Sequence, residues 1–400
     1  MSAKSPLTQA HLDRDGSIQP YPDPADPSRF AEVVEAFGPI ELEYAALRKG
    51  CVLLDQPQRG AVAVRGADRL EFLNRMVTQE LKGLTPFQSR RSFWLNRKGR
   101  VDADLRLTAL DDDGKAGPLG AQLLIDVDTH AAARTVQTLS SYVFSEDIEL
   151  TDASESLHRL GLHGPAAAML LDAVSEPHAG PRPAALAPDQ ACTVRLAGRT
   201  VLVERWDWLG ETGLELTCAV GDAATVYDAL LTAGTADDDL GRRARLRPAG
   251  WHACNIARVE AGVPLYFLDF GPESLPHETG VLRDRVSFKK GCYLGQEVVA
   301  RMEARGHSKH NLVGLRFEDE KNPDLPQAEG GAQVFAAGDE AKPIGQVTSS
   351  SISPMLGGVP VCFASVRTAH AAPGTKLSVE ARAERITAVV QPGLAFWSKP

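Results

Sequence analysis

The spacing of apolar residues in this chain switches repeatedly between a period of two and a period of roughly 3.6, and neither persists for long. A coiled coil, a helical bundle and an all-β chain each need one period throughout, so the pattern leaves an α+β fold of short elements. No apolar run approaches the roughly 18 residues that a membrane helix requires, so no membrane partner is expected. The 400 residues allow two or three cores at about 150 residues each.

Residues 1–28 are polar and rich in Pro and Asp, with no apolar stretch of a secretion signal and too many acids for a transit peptide. They read as a disordered arm of a cytoplasmic protein. Residues Arg29 to Gly50 read as two helical pieces broken at Gly38-Pro39. Ala61 to Arg65 reads as a strand, and Asp68 opens a helix with Leu70, Leu73, Met76 and Val77 on one face. Gly99 separates two strands, and a turn at Asp111 to Gly114 precedes a third. The Pro- and Ala-rich stretch Ser175 to Gln190 reads as a loop between strands and helices that continue to Glu260. From Asn311 onward short strands alternate with Gly, Pro and Asn turns, the texture of a separate all-β unit.

Lys and Arg total 43 against 52 Asp and Glu, a net charge of −9, which argues against nucleic acid as a direct partner. The cysteines are Cys51, Cys192, Cys218, Cys254, Cys292 and Cys362. Their wide spacing fits a reducing compartment, and no metal site is expected from them. His307 and His310 read as a solvated loop. Phosphate-loop, dinucleotide, zinc-protease and nucleophile-elbow signatures are missing from the sequence.

Three segments carry candidate chemistry. In the first, Lys289-Lys290-Gly291-Cys292-Tyr293-Leu294-Gly295-Gln296-Glu297, a cysteine lies between basic residues and the start of a helix running to Arg305. Positive charge and a helix N-terminus both favour the thiolate. Seven Lys or Arg face three Asp or Glu between Arg283 and Lys309. A buried thiol acting as a small hydrophobe is the bland alternative, and it is preferred for the other five cysteines. The second segment, Arg205 to Glu215, sets Trp206, Trp208 and Glu211 among glycines. A flat heteroaromatic ligand needs a stacking surface and an acceptor carboxylate, although a hairpin with core tryptophans explains the local pattern as well. In the third, Asp102 and Asp104 alternate onto one strand face, where burial of one carboxyl would raise its pKa; a solvent-facing strand serves equally.

In order along the chain, several motifs resemble the folate-binding family that includes the aminomethyltransferase of glycine cleavage. They are Val64-Arg65-Gly66-Ala67-Asp68, the stretch Gly99 to Leu105, Gly164-Pro165, Gly210-Glu211-Thr212-Gly213, Arg258-Val259-Glu260-Ala261-Gly262, and Gly345-Gln346-Val347-Thr348-Ser349 with Ser353-Pro354. Lys290 to Glu297 is similar to the K-G-C-[FY]-x-G-Q-E signature of the YgfZ branch, linked to iron–sulfur cluster assembly or repair. The resemblance implies a folate-binding region over residues 29–306, made of two interleaved mixed α/β subdomains around a central channel, and a C-terminal β-barrel over 307–400. It implies tetrahydrofolate, or a one-carbon derivative, as cofactor. Glu211 matches the acid that reads the pterin edge, Trp208 an aromatic beside it, and Arg258 a basic position that orients the cofactor. Cys292 matches the reactive thiol, with Lys290 as its neighbour. Aminomethyltransferases carry two adjacent acids where this chain has Ala103-Asp104, so Asp104 is the candidate acid and Asp102 its rival. Arg59 stands where YgfZ-like chains offer an aromatic to folate. The expected function is a folate-dependent iron–sulfur assembly or repair factor, with client iron–sulfur proteins or assembly machinery as partners. The alternatives are a tetrahydrofolate-dependent aminomethyl or methyl transferase, and a folate-binding regulatory module affecting tRNA modification.

Overall fold

The computed structural model describes residues 4–111, 118–306, 308–318, 325–338 and 341–398. His307 and most of the turn expected at Asp111 to Gly114 lie outside them. Two compact units emerge, and neither is a continuous stretch of chain. The first takes residues 1–94, 103–207 and 211–254; the second takes 95–102, 208–210 and 255–400. Among the described residues no helix is long and apolar enough to cross a membrane.

The first unit opens with a correction. Residues expected as a disordered arm form a short helix, Thr8–Leu12, and an antiparallel ribbon of Ser17–Asp23 against Asp26–Ala36. Apolar spacing at Phe30, Ala31, Val33 and Val34 mimics a helix face, but pairing with the preceding strand decides the conformation. The arm is fastened by a buried carboxylate: Asp55 lies 2.8 Å from His11 and 2.6 Å from His158, and accepts from the Ser5 hydroxyl at 2.5 Å. Burial opposes the Asp55 charge, but His158 and His11 outweigh it and hold the carboxyl well below the usual range.

A seven-stranded sheet orders Ser175–Ala179, Ala191–Leu196, Arg199–Arg205, Gly213–Ala219, Leu157–His163, Cys51–Asp55 and Leu246–Pro248. Its last pair is parallel and the others antiparallel. The stretch expected as a loop from Ser175 therefore supplies an edge strand. Leu157–His163 is buried along its whole length, as suits a strand near the middle of a sheet. Helices Ala167–Val174 and Ala223–Thr235 cover one face through Leu170, Leu171, Val226, Tyr227 and Leu230. Each such side chain contributes about 1.5–3 kcal/mol by leaving water. A five-stranded sheet orders Ser89–Leu95, Val101–Ala109, Leu123–Asp128, Arg59–Arg65 and Glu149–Asp152. Helix Thr129–Ser140 follows its third strand in that order, capped by the Asp128 carboxylate accepting from the His130 amide.

The second unit is built on a closed barrel ordered His310–Phe317, Val359–Arg367, Gly345–Ser353, Gln333–Ala336, Lys376–Ala381 and Glu384–Val390. Leu315, Val334, Val347, Cys362, Ala364, Val379 and Ala388 fill it. Alternation places the polar residues of these strands outside.

Candidate functional site

In the first unit the two sheets contribute ionic side chains to one buried cluster. Asp126 lies 2.9 Å from Arg59, 3.3 Å from Arg159 and 3.6 Å from Arg106. Glu204 lies 3.2 Å from Arg159 and 3.3 Å from Arg106, and the Thr108 hydroxyl donates to it. Burial works against the Asp126 charge, yet Arg159, Arg59 and Arg106 outweigh it and keep the carboxyl ionised. Asp128, whose Oδ2 accepts from Tyr21 at 2.6 Å, is driven the other way because burial dominates. Sequence reasoning missed this cluster, and its signal was present: Arg106 stands between Leu105 and Leu107 and Arg159 precedes Leu160, and a charge set among such apolar neighbours in a strand is tolerated only when paired.

The segment after strand Arg199–Arg205 is shaped by ion pairing. Arg205 grips Asp207 through Nε at 2.5 Å and Nη2 at 2.9 Å, and Asp207 also accepts from the Gly213 amide. Trp206 lies over the Arg106 guanidinium, 4.9 Å from its ring centroid, so that tryptophan belongs to the cluster. Glu211 is buried, with its carboxylate 3.6 Å from Arg48. Arg48 in turn donates to the Tyr44 hydroxyl and packs over that ring. Arg48 was also missed; it sits on helix Ile40–Lys49, remote in sequence from Glu211. Asp104 is half-buried on strand Val101–Ala109 and lies within the electrostatic reach of Arg59.

The second unit holds the other four expected residues. Cys292 is exposed, whereas the remaining five cysteines are buried. Helix Gln296–Arg305 begins at Gly295 and stops at Gly306, as expected from the sequence. The segment before it is seated on the tip between Leu95 and Asp102. A side chain at Gly99 would meet Val298 at 2.7 Å, and one at Gly295 would meet the Asn96 carbonyl at 3.1 Å; both glycines have positive φ. At the same tip Asn96 donates to Asp102 at 3.1 Å, and the Tyr266 hydroxyl donates to the Asp102 carbonyl at 2.8 Å. Lys290 is buried, its ammonium 5.3 Å from the Tyr293 ring centroid. Trp208 is buried too.

Arg258 is enclosed by partners from its own unit. It donates to Asp269 at 2.5 Å, Asn255 at 3.0 Å, the Val263 carbonyl at 3.2 Å and Ser349 at 2.5 Å. Thr348 donates to the second Asp269 oxygen, and Ser353 donates to the buried Glu260 at 2.5 Å. The motifs Arg258 to Gly262 and Gly345 to Pro354 are therefore the two sides of one brace between helix Trp251–Glu260 and the barrel.

An α/β region with two sheets, followed by a closed six-stranded barrel, is the aminomethyltransferase-like fold. The description GCVT N-terminal domain matches residues 7–290, and glycine cleavage T-protein C-terminal barrel domain matches 310–396, so the chain belongs to the glycine cleavage T-protein family. An aminomethyltransferase of Geobacillus kaustophilus is 30% identical over 362 residues, 90% of this chain and 91% of that relative. An aminomethyltransferase of Thermus thermophilus is 29% identical over 88% of each chain. The crystal structure of glycine cleavage system aminomethyltransferase T from Bartonella henselae superposes with a TM-score of 0.81 at 22% identity, covering 99% of this chain and 98% of that one.

Proposed function

We propose that this chain binds tetrahydrofolate and serves as a thiol-dependent factor in building or repairing iron–sulfur clusters on client enzymes. The observation that carries the reading is the contrast among the cysteines: the one in Lys290-Gly291-Cys292-Tyr293 is exposed while five are sealed. An exposed thiol on a loop seated by two close-packed glycines is presented to a partner in a fixed place. The donor set suits a pteridine. Glu211 offers a buried carboxylate as acceptor for paired N–H groups, held in place by Arg48. Trp208 is the aromatic that the resemblance assigns beside the pterin, and Arg258 braces its own unit. Bound tetrahydrofolate would supply a one-carbon carrier, and the cluster or its sulfur is the cargo.

The test pairs two variants. Cys292→Ala should keep tetrahydrofolate affinity and lose support of client iron–sulfur enzymes under oxidative stress. Glu211→Gln should weaken tetrahydrofolate about tenfold or more by calorimetry. Full client activity with folded Cys292→Ala protein removes the thiol from the mechanism.

Aminomethyl transfer to tetrahydrofolate is the second reading, favoured by the 30% identity to relatives named aminomethyltransferase. There Asp104 would be the acid beside the accepting nitrogen. Turnover that survives Cys292→Ala and is lost with Asp104→Asn selects this reading over the first.

A further inference from the structure

A cavity of about 650 Å³ lies in the first unit. Neither Asp104 nor Glu211, the candidate folate residues of that unit, lines it, whereas Arg59 does, the residue that stands where YgfZ-like chains offer an aromatic to folate. Its walls come from the N-terminal segment, the ribbon, the start of helix Thr129–Ser140 and the turn before strand Leu157–His163.

The charge in this cavity is sorted by depth. Among its basic residues His158 is buried and Arg59, like His130, is half-buried. Arg59 is fixed from behind by Asp126 at 2.9 Å and His158 by Asp55 at 2.6 Å. Thr129 and His130 bring the first turn of a 12-residue helix to the same cavity, its His130 amide already bonded to the Asp128 carboxylate. Lys4 and Arg29 stand exposed at the rim. The two lining carboxylates, Asp152 and Glu155, are exposed as well, and Asp152 already accepts from the Ser154 amide and hydroxyl. Phe30 and Leu157 add apolar wall.

We propose that this cavity takes an organic phosphate monoester with a short apolar body, and does so while tetrahydrofolate is bound to the same chain. The phosphate would meet the guanidinium and the imidazole, with Lys4 and Arg29 beside it at the rim; the apolar body would lie on Phe30 and Leu157. A cavity of this size is ample for such a ligand.

The probe is phenyl phosphate, titrated calorimetrically into the full chain saturated with tetrahydrofolate, with benzyl alcohol as the uncharged control. Phenyl phosphate is expected to bind, benzyl alcohol is not, and added salt is expected to weaken binding. The double variant Lys4→Ala/Arg29→Ser, altered only at exposed positions, should bind about tenfold more weakly. Ala133→Trp, which fills the cavity from an exposed helix position, should abolish binding. No heat with millimolar phenyl phosphate overturns the proposal. So does binding that both variants leave intact, or phenyl phosphate that tetrahydrofolate displaces.

Discussion

Iodoacetamide at about pH 8 should label one cysteine of the folded protein, Cys292, while all six react in denaturant. Burial pushes the thiols of Cys51, Cys192 and Cys218 up to about 12. At pH 8 a thiol of that acidity is about one part in ten thousand ionised, against about a quarter for an ordinary exposed thiol. The ratio is roughly two thousand. A more basic thiolate is a better nucleophile, which returns a factor of roughly forty and leaves about fiftyfold from acidity alone. Access multiplies this, because these three sulfurs belong to residues 0% exposed and react only when the sheet and helices around them open. Cys254 and Cys362 are likewise buried, their thiols also pushed up by desolvation. Intact mass against time, with peptide mapping, reads the result. One fast adduct on Cys292, absent from Cys292→Ala, is expected. A second adduct forming at a comparable rate, or an unlabelled Cys292, refutes both the packing and the thiol's presentation.

Three further outcomes are expected. Arg258→Ala leaves Asp269 buried without its cation and should cost about 3–5 kcal/mol in denaturant unfolding; a loss below about 1 kcal/mol would mean that the brace is not structural. Asp55 binds its proton less tightly folded than unfolded, so its contribution is present above about pH 4 and fades as pH falls below that. Urea midpoints of Asp55→Asn should accordingly lose less than wild type on going from about pH 6 to about pH 3. Gly99→Ala should destabilise by about 1–3 kcal/mol through its positive φ and its approach to Val298, and Val298→Ala should recover part of that loss in a double-mutant cycle; strict additivity would show that the two positions do not touch.

Local periodicity carried most of the architecture. The barrel strands before Glu384, the helix after Gly295 and the hairpin around Gly99 follow from alternation and glycine punctuation to within a few residues. The N-terminal ribbon did not, because Arg29 to Ala36 has helical spacing and its strand conformation is decided by a partner strand. Edge strand Ser175–Ala179 was hidden by its Pro and Ala content and exists through pairing with Ala191–Leu196. Final strand Glu384–Val390, absent from the sequence reading, carries charged residues on the barrel exterior that dilute its alternation. For the site, the exposure of Cys292 was readable from its charged, glycine-rich surroundings. The partners were not: Arg48 for Glu211, Asp269 for Arg258 and Val298 for Gly99 are set by tertiary packing. The resemblance sets Lys290 next to the thiol; the contact of its ammonium with the Tyr293 ring is a tertiary detail that the motif does not carry.

The contact of Gly99 with Val298 also has a meaning in time. A ribosome adding about 5–20 residues per second needs roughly 10–40 s to travel from the first of these positions to the second. Throughout that delay the turn around Asn96 stands without the helix that will lean on it. Organisation of the sulfur-bearing loop thus waits until the helix that follows it has been made, and a partner that reads this loop would meet only molecules whose synthesis has passed it.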